Sequence, residues 1–206
     1  MAKSIQTASS LGDELAYYLA PIDLGDLLPL NVGLGSAQQA TMISTLGPPR
    51  MPLTTVDQPD HVSPSVKKLL QTVQLSQHVV ATGIHPALDS LKHILSKAFQ
   101  QEAALNHDLE SVLSTAGMLN VRLRKPTHGP PSTKISNHAW GTAIDFKLVG
   151  HSPPGDTAHV VPRFIAVLIP FFHAEGWFSG IGFQDAMHFE VAEGTMHQWA
   201  KKGLFS

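Results

Sequence analysis

Two histidines and two aspartates lie in short segments whose residue types could support metal chemistry. The segment SNHAWGTAIDF, residues 136–146, places His138 and Asp145 on either side of a glycine and two small residues. Small residues let a loop pack tightly on a strand, which would bring the histidine to the strand's aspartate. With His188 this gives two imidazoles and one carboxylate, a ligand set that leaves a zinc ion one open position. Asp185, three residues before His188, is a carboxylate that could accept a proton from a water beside such a metal.

Alternation of apolar and polar residues predicts the strands that would position these side chains. The alternating segments are 119–123, 143–148 and 187–191. If these strands share a sheet whose apolar faces lie against helices, then Arg122, Asp145 and His188 project together from the opposite face. Polar residues on an exposed sheet face are more often simply solvated, so the strand pattern alone leaves that alternative open.

Helical spacing of apolar residues predicts the layer behind this sheet. The predicted helices cover residues 63–73, 86–99, 105–117, 162–176 and 193–202. Ser36 and Gln39 match the capping-box pattern for a further short helix that ends at Gly47. The predicted fold class is α+β: a small antiparallel sheet backed by helices, with the zinc site on the open sheet face. Residues 1–60 have little sustained periodicity, so we expect an N-terminal extension, and residues 61–206 would form the catalytic domain.

Composition excludes several other classes of protein. The chain has 206 residues, no Cys, 12 His and a formal net charge of -2, and 15% of its residues are charged against the roughly 25% of an average domain. The charge gives no basis for nucleic-acid binding, and the lack of Cys requires any transition-metal site to use His and carboxylates. The longest apolar run, Phe164 to Phe172, is too short to span a membrane. The N-terminus has no apolar core of a signal peptide, which predicts synthesis in the cytoplasm without export by that route.

Three motifs in order give the sequence a resemblance to a known family. SNHAWGTAIDF at 136–146 resembles the S-x-H-x-x-G-x-A-x-D signature of the VanY-like D-alanyl-D-alanine carboxypeptidases, a family of zinc peptidases. That family includes D-Ala-D-Ala dipeptidases and phage L-alanyl-D-glutamate endolysins. GWFSGIGFQDAMHFEV at 176–191 resembles the second signature of one branch, and GMLNVR at 117–122 resembles the G-x-x-N-x-R strand of that branch. Similarity in the helical lead-in extends the match back to about residue 83.

The resemblance implies a role for six residues. The family's zinc ligands correspond to His138, Asp145 and His188, which would bind one zinc ion. Its general base corresponds to Asp185, where many members have Glu and some phage enzymes have Asp. Arg122 matches the arginine that polarises the scissile carbonyl and stabilises the oxyanion. Ser136 matches a position near bound substrate, although its hydroxyl could equally cap the loop.

The expected function is zinc-dependent hydrolysis of peptidoglycan stem peptides, of either D-Ala-D-Ala carboxypeptidase or L-Ala-D-Glu endopeptidase type. The expected partner is a peptidoglycan peptide, with no nucleic acid and no membrane span. Two alternatives stay open: a lytic toxin or endolysin with the same chemistry, released or delivered to the cell wall, and an inactive cell-wall binding module. Glu190 is interpreted either as a residue that orients a metal ligand or as a surface charge. Trp140 and Trp177 are interpreted as packing residues in preference to substrate platforms.

Overall fold

A computed structural model describes residues 10–125, 132–154 and 159–205. Within these ranges the helices are α1 (Leu11–Leu19), α2 (Gln39–Leu46), α3 (Pro64–Leu69), α4 (His85–Ala104), α5 (Leu109–Val112), α6 (Arg163–Ala174) and α7 (Glu193–Lys201). The strands are β1 (Pro21–Asp23), β2 (Leu70–Gln74), β3 (Val80–Ile84), β4 (Leu113–Gly117), β5 (Ala143–Leu148), β6 (Val160–Pro162), β7 (Trp177–Ser179) and β8 (His188–Val191).

The main sheet is antiparallel, with strand order β4-β5-β8-β7. Its two central strands are β5 and β8, and their register places Asp145 directly opposite His188. Two smaller antiparallel pairs accompany it, β1 with β6 and β2 with β3. The predicted α+β class with a small antiparallel sheet is therefore confirmed, and the predicted strands at 143–148 and 187–191 are β5 and β8.

The core lies between this sheet and the helices α4 and α6. Phe146 of β5, Phe172 of α6, Phe189 of β8 and Trp177 of β7 are fully buried and pack ring against ring. Each such side chain contributes about 1.5–3 kcal/mol of burial free energy, so these contacts hold β5 and β8 in fixed register. The predicted helices at 86–99, 162–176 and 193–202 correspond to α4, α6 and α7.

The predicted strand at 119–123 is wrong, because the first strand of the sheet is β4. A register shift between Thr115 and Gly117, where Gly117 has φ 131°, turns the chain out of the sheet. The alternating residues that follow pair elsewhere: the Val121 N–H donates to Asp57 and the Leu123 N–H donates to the Thr54 carbonyl. The segment is irregular: it bonds to the chain at 54–58 and pairs with Ile135 at Leu123 instead of extending the sheet.

Three helix predictions also require correction. The helix expected over 105–117 is only α5, since Asn106 at φ 64° separates it from α4 and the chain continues as β4. In the segment 63–73, where one helix was expected, the structure has the short helix α3 followed by the strand β2. The helix after Ser36 forms as α2, but Ser36 does not cap it; its N-cap is Gln38, whose N–H donates to the Glu193 carboxylate.

The first 60 residues make several contacts with the rest of the chain. β1 pairs with β6, the Trp140 indole N–H donates to the Gly47 carbonyl at 2.8 Å, and the Asn137 amide donates to the Ala37 carbonyl at 3.2 Å. The division into an extension and a catalytic domain stays a prediction. Among the described residues, no helix is long and apolar enough to cross a membrane.

Candidate metal centre

Three side chains from two parts of the chain meet beside the main sheet. His138 Nε2 lies 3.2 Å from Asp145 Oδ1 and 3.2 Å from His188 Nδ1, and the last two atoms are 3.0 Å apart. The exposed fractions of the three residues are 1%, 7% and 6%. We call this group the metal cluster, because its three atoms converge on one point and could hold a metal ion.

The local fold explains why these atoms meet. Asp145 and His188 are opposite each other on β5 and β8, so backbone pairing fixes two of the three. His138 comes from a 3-10 helix, residues Asn137–Trp140, that ends at Gly141 in the left-handed conformation, φ 62°. A side chain on Gly141 would lie 2.8 Å from the Gly83 backbone, so only glycine lets this loop pack so close.

Hydrogen bonds on the far side of each ring set the tautomers of both histidines. His138 Nδ1 lies 2.8 Å from the Met118 carbonyl, which can only accept, so Nδ1 holds the hydrogen and Nε2 presents a lone pair to the metal cluster. His188 Nε2 lies 3.0 Å from the Glu190 carboxylate, so in the neutral ring Nδ1 presents the lone pair. Partners of this kind orient metal-binding histidines in proteins. Glu190 is therefore a buried partner of His188 and not a surface charge.

The charges in the metal cluster shift the pKa values of its members. Burial alone would raise the pKa of Asp145, but His138 and His188 outweigh burial and hold that pKa well below its usual range. Burial would lower the pKa of His188, but its hydrogen bonds to Asp145 and Glu190 raise it to about 10. The metal cluster thus holds negative charge and binds a proton tightly, and a metal cation would compete with that proton for the same atoms.

The ligand types and their spacing fit a tetrahedral zinc ion. Zinc bonds to nitrogen and oxygen of about 2.0–2.1 Å imply about 3.3 Å between neighbouring tetrahedral ligand atoms. The three separations in the metal cluster, 3.0–3.2 Å, come close to that value. Two imidazoles and a carboxylate also suit zinc better than magnesium or calcium, which prefer oxygen ligands.

The metal cluster lies in a pocket of about 430 Å³ that the other predicted site residues also line. Asp185, Arg122 and Ser136 all contribute to its wall, so the structure brings the six predicted residues together. Arg122 follows β4 in an irregular segment and not on a strand, and its Nη1 donates to the Leu123 carbonyl at 3.2 Å. Ser136 is buried, and its hydroxyl does not cap the 3-10 helix.

Four further residues at this site were not predicted from the sequence. Arg124 and Lys125 add positive charge to the pocket lining, and Phe183, 44% exposed, also lines the pocket with its ring centre 5.6 Å from that of His188. Asn137 donates to Glu190 at 2.8 Å. The adjacency of Asn137 to His138 was the one available signal. Trp140 and Trp177 are fully buried, as their interpretation as packing residues requires.

The segment that forms this site matches a peptidase family. Residues 130–191 match the family model described as D-alanyl-D-alanine carboxypeptidase. The matched segment includes the whole metal cluster and Asp185, so the family resemblance predicted from the motifs is confirmed there. No curated protein matches the chain. Together the match and the buried cluster indicate a peptidase with a group that could hold a metal ion.

Proposed function

We propose that the protein is a zinc-dependent peptidase that hydrolyses peptidoglycan stem peptides. The observation that supports this most is the convergence of three ligand atoms within 3.0–3.2 Å of one another in a pocket that Asp185 and Arg122 also line. The similarity of this same segment to D-alanyl-D-alanine carboxypeptidases supports the choice of substrate. The site of action would then be the cell wall, reached after release or delivery.

The residues of the metal cluster would hold the zinc ion, and Asp185 would move the proton. A bound zinc ion would supply a Lewis acid that acidifies water and polarises a carbonyl. The Asp185 carboxylate would accept the proton of the water that attacks the carbonyl carbon. As the C–N bond breaks, it would pass this proton to the leaving amine.

The turn before β8 supports this role for Asp185. Its N–H donates to the Gly180 carbonyl at 3.0 Å, and its carbonyl accepts from the His188 N–H at 3.1 Å. A side chain at Gly180 would lie 2.5 Å from the Asp185 carbonyl oxygen, so glycine is required for this tight approach. The backbone thus fixes Asp185 relative to one of the three residues of the metal cluster.

Arg122 would stabilise the negative charge that develops on the carbonyl oxygen. A guanidinium is always protonated and donates several hydrogen bonds, so its position in the pocket wall suits an oxyanion. Ser136, in the same wall, would contact bound peptide. The bond cleaved is either the terminal D-Ala-D-Ala bond or an internal L-Ala-D-Glu bond.

Replacing Asp185 by Asn tests the proposed mechanism. The amide keeps the size of the side chain but is a very weak base, so we expect hydrolysis of purified peptidoglycan to fall by about 10²–10⁴-fold while zinc content is unchanged. Zinc is measured by metal analysis, and products are identified by mass spectrometry of digested muropeptides. Loss of a single alanine would identify a carboxypeptidase, and cleavage between L-Ala and D-Glu would identify an endopeptidase.

The matched control is Asp60→Asn, which changes an exposed aspartate lining a different cavity, and it should leave hydrolysis unchanged. Full hydrolysis by Asp185→Asn with zinc bound would show that Asp185 is not the base. Wild-type protein that binds zinc and peptidoglycan without releasing any product would favour the cell-wall binding module.

A further inference from the structure

A carboxylate that the proposed mechanism does not use lies behind His188. Glu190 is 2% exposed, and its Oε2 accepts from His188 Nε2 at 3.0 Å and from Asn137 Nδ2 at 2.8 Å. Burying a carboxylate costs free energy unless charged or polar partners compensate for the lost water. His188 and Asn137 are such partners for Glu190.

Asn137 connects this carboxylate to both histidine-bearing segments and to the first part of the chain. It directly precedes His138, and its side chain reaches across to Glu190, two residues after His188 on β8. Its Nδ2 also donates to the Ala37 carbonyl at 3.2 Å. The main-chain carbonyl of Asn137 accepts from the Thr142 hydroxyl at 3.0 Å. Asn137 itself is 2% exposed, so water does not compete for these bonds.

We propose that Glu190 and Asn137 form a positioning pair that fixes the ring of His188 and joins the two histidine-bearing segments to the main chain at Ala37. This inference rests on the proposed function, because it assigns the pair a role in metal binding. A His188 ring turned over about its Cβ–Cγ bond would point a carbon atom at Asp145 instead of Nδ1. The hydrogen bond to Glu190 is lost in that orientation. The carboxylate therefore selects the ring orientation in which Nδ1 faces Asp145.

The position of Glu190 favours this role over a purely structural one. A neutral side chain of the same size would fill the same volume at lower desolvation cost. The charge has a specific use here, because a carboxylate beside the imidazole N–H makes the opposite ring nitrogen a stronger metal ligand. The link to Ala37 also makes residues before 61 part of the support of the site.

The test measures metal affinity directly. Glu190→Gln keeps the shape of the side chain and removes its charge, and we expect the dissociation constants for Zn²⁺ and Co²⁺ to rise by about 10–100-fold in competition with a chelator. The visible absorption spectrum of the Co²⁺ form reports ligand geometry, and we expect it to differ from that of wild type. Both measurements are independent of peptidase activity.

The matched control is Glu193→Gln. Glu193 is also a glutamate bound to the N-terminal part of the chain, through the Gln38 N–H and the Thr41 hydroxyl. These partners, and His197 on the same helix, lie outside the metal cluster. This variant should keep wild-type metal affinity and the wild-type Co²⁺ spectrum. Circular dichroism establishes that each variant is folded. If Glu190→Gln does not fold, Asn137→Ser tests the same pair with Glu190 intact, and we expect a smaller rise in both dissociation constants.

Different results overturn the two proposals separately. If wild type binds Zn²⁺ tightly and Glu190→Gln binds it equally, with an identical Co²⁺ spectrum, the positioning pair is wrong and the proposed function stands. Equal metal affinity of Asn137→Ser and wild type would refute the pair in the same way. If wild type itself binds neither ion, the proposed function fails and the positioning role fails with it.

Discussion

Two clusters of polar side chains in the described part of the chain differ in their geometry, since the first has the arrangement of a metal site and the second does not. In the metal cluster, three atoms that can each offer a lone pair lie within 3.0–3.2 Å of one another beside a pocket. In the second, which we call the tyrosine cluster, Tyr18, Glu14, Glu102 and His107 meet where α1 packs on α5 and bonds to the end of α4. The buried Tyr18 hydroxyl there donates to Glu102 at 2.9 Å.

The tyrosine cluster pairs its side chains with one another, Tyr18 with Glu102 and His107 with Glu14, and joins elements of the fold. Burial raises the pKa of Tyr18, and Glu102 and Glu14 raise it further, so the phenol stays protonated and serves as a donor. The neighbouring Tyr17 ring stacks on His107 at 3.5 Å, and the Arg163 guanidinium lies 4.1 Å from the centre of that ring. These contacts hold α1 against the core.

The difference shows that burial of ionisable groups does not by itself define a functional site. What distinguishes the metal cluster is that three ligand atoms face one another, with tautomers set by Met118 and Glu190 on the other side of the rings. Neutral imidazoles and a carboxylate in that arrangement have no hydrogen to share between them. A cation or a proton completes the metal cluster, whereas in the tyrosine cluster Tyr18 already donates to Glu102.

The largest effect that separates the two clusters is expected for His138→Ala. This variant removes one of three ligands, so bound zinc should fall from about one ion per chain to near zero, and hydrolysis should fall to background. Zinc at about 100 times its dissociation constant should stabilise wild type by about 2.7 kcal/mol and should not stabilise the variant. Metal analysis and thermal unfolding with and without zinc measure both effects. If this variant still binds about one zinc ion per chain, the ion binds at another site and the proposed site is wrong.

The metal cluster and Asp185 were predictable because these four residues lie in two short, local patterns. His138 and Asp145 are seven residues apart across one loop and strand, and Asp185 and His188 are three apart at the start of another. The bond between Asn137 and Glu190 crosses 53 positions, so no local pattern contains it. Periodicity carries no information on such a contact, because it depends on which strands become neighbours.

The fold was predictable where alternation or helical spacing was long enough. β5 and β8 follow clear alternation, and α4 and α6 follow clear helical spacing. β4 was missed because its sequence, LSTAG, alternates poorly and follows a helical turn. The strands β1, β6 and β7 have three residues each, too short for a period to be recognised.

The tyrosine cluster gave no sequence signal, and Tyr18→Phe tests its contrast with the metal cluster. Loss of the hydroxyl leaves the buried Glu102 without this donor, so we expect the free energy of unfolding to fall by about 1–3 kcal/mol. Zinc affinity and hydrolysis should not change, since none of the residues of this cluster lines the pocket. Urea unfolding and chelator competition measure the two quantities. Tyr17→Phe, which keeps a ring to stack on His107, is the control. Weakened zinc binding in Tyr18→Phe would mean that the two clusters are coupled.

The smallest expected effect concerns Glu193, which joins the N-termini of α7 and α2. Burial would raise the pKa of Glu193, but the Thr41 hydroxyl, the Gln38 N–H and His197 outweigh burial and lower it. Because the pKa is lower in the folded state, the stabilisation is full above the unfolded pKa of about 4.3 and is lost as the pH falls through the folded value. Glu193→Gln should therefore cost about 1 kcal/mol at pH 7.

This cost should decrease as the pH falls below the unfolded pKa of about 4.3. It should be smallest below the lower folded pKa, where the folded carboxylate is also protonated and resembles the amide. Urea unfolding of both proteins across a pH series measures the difference, with Glu110→Gln, an exposed glutamate of α5, as the control. A cost that is the same at every pH would show that shape, not charge, makes the contact between α2 and α7. Zinc affinity should be unchanged throughout, because a carboxylate three residues from Glu190 acts on the fold and not on His188.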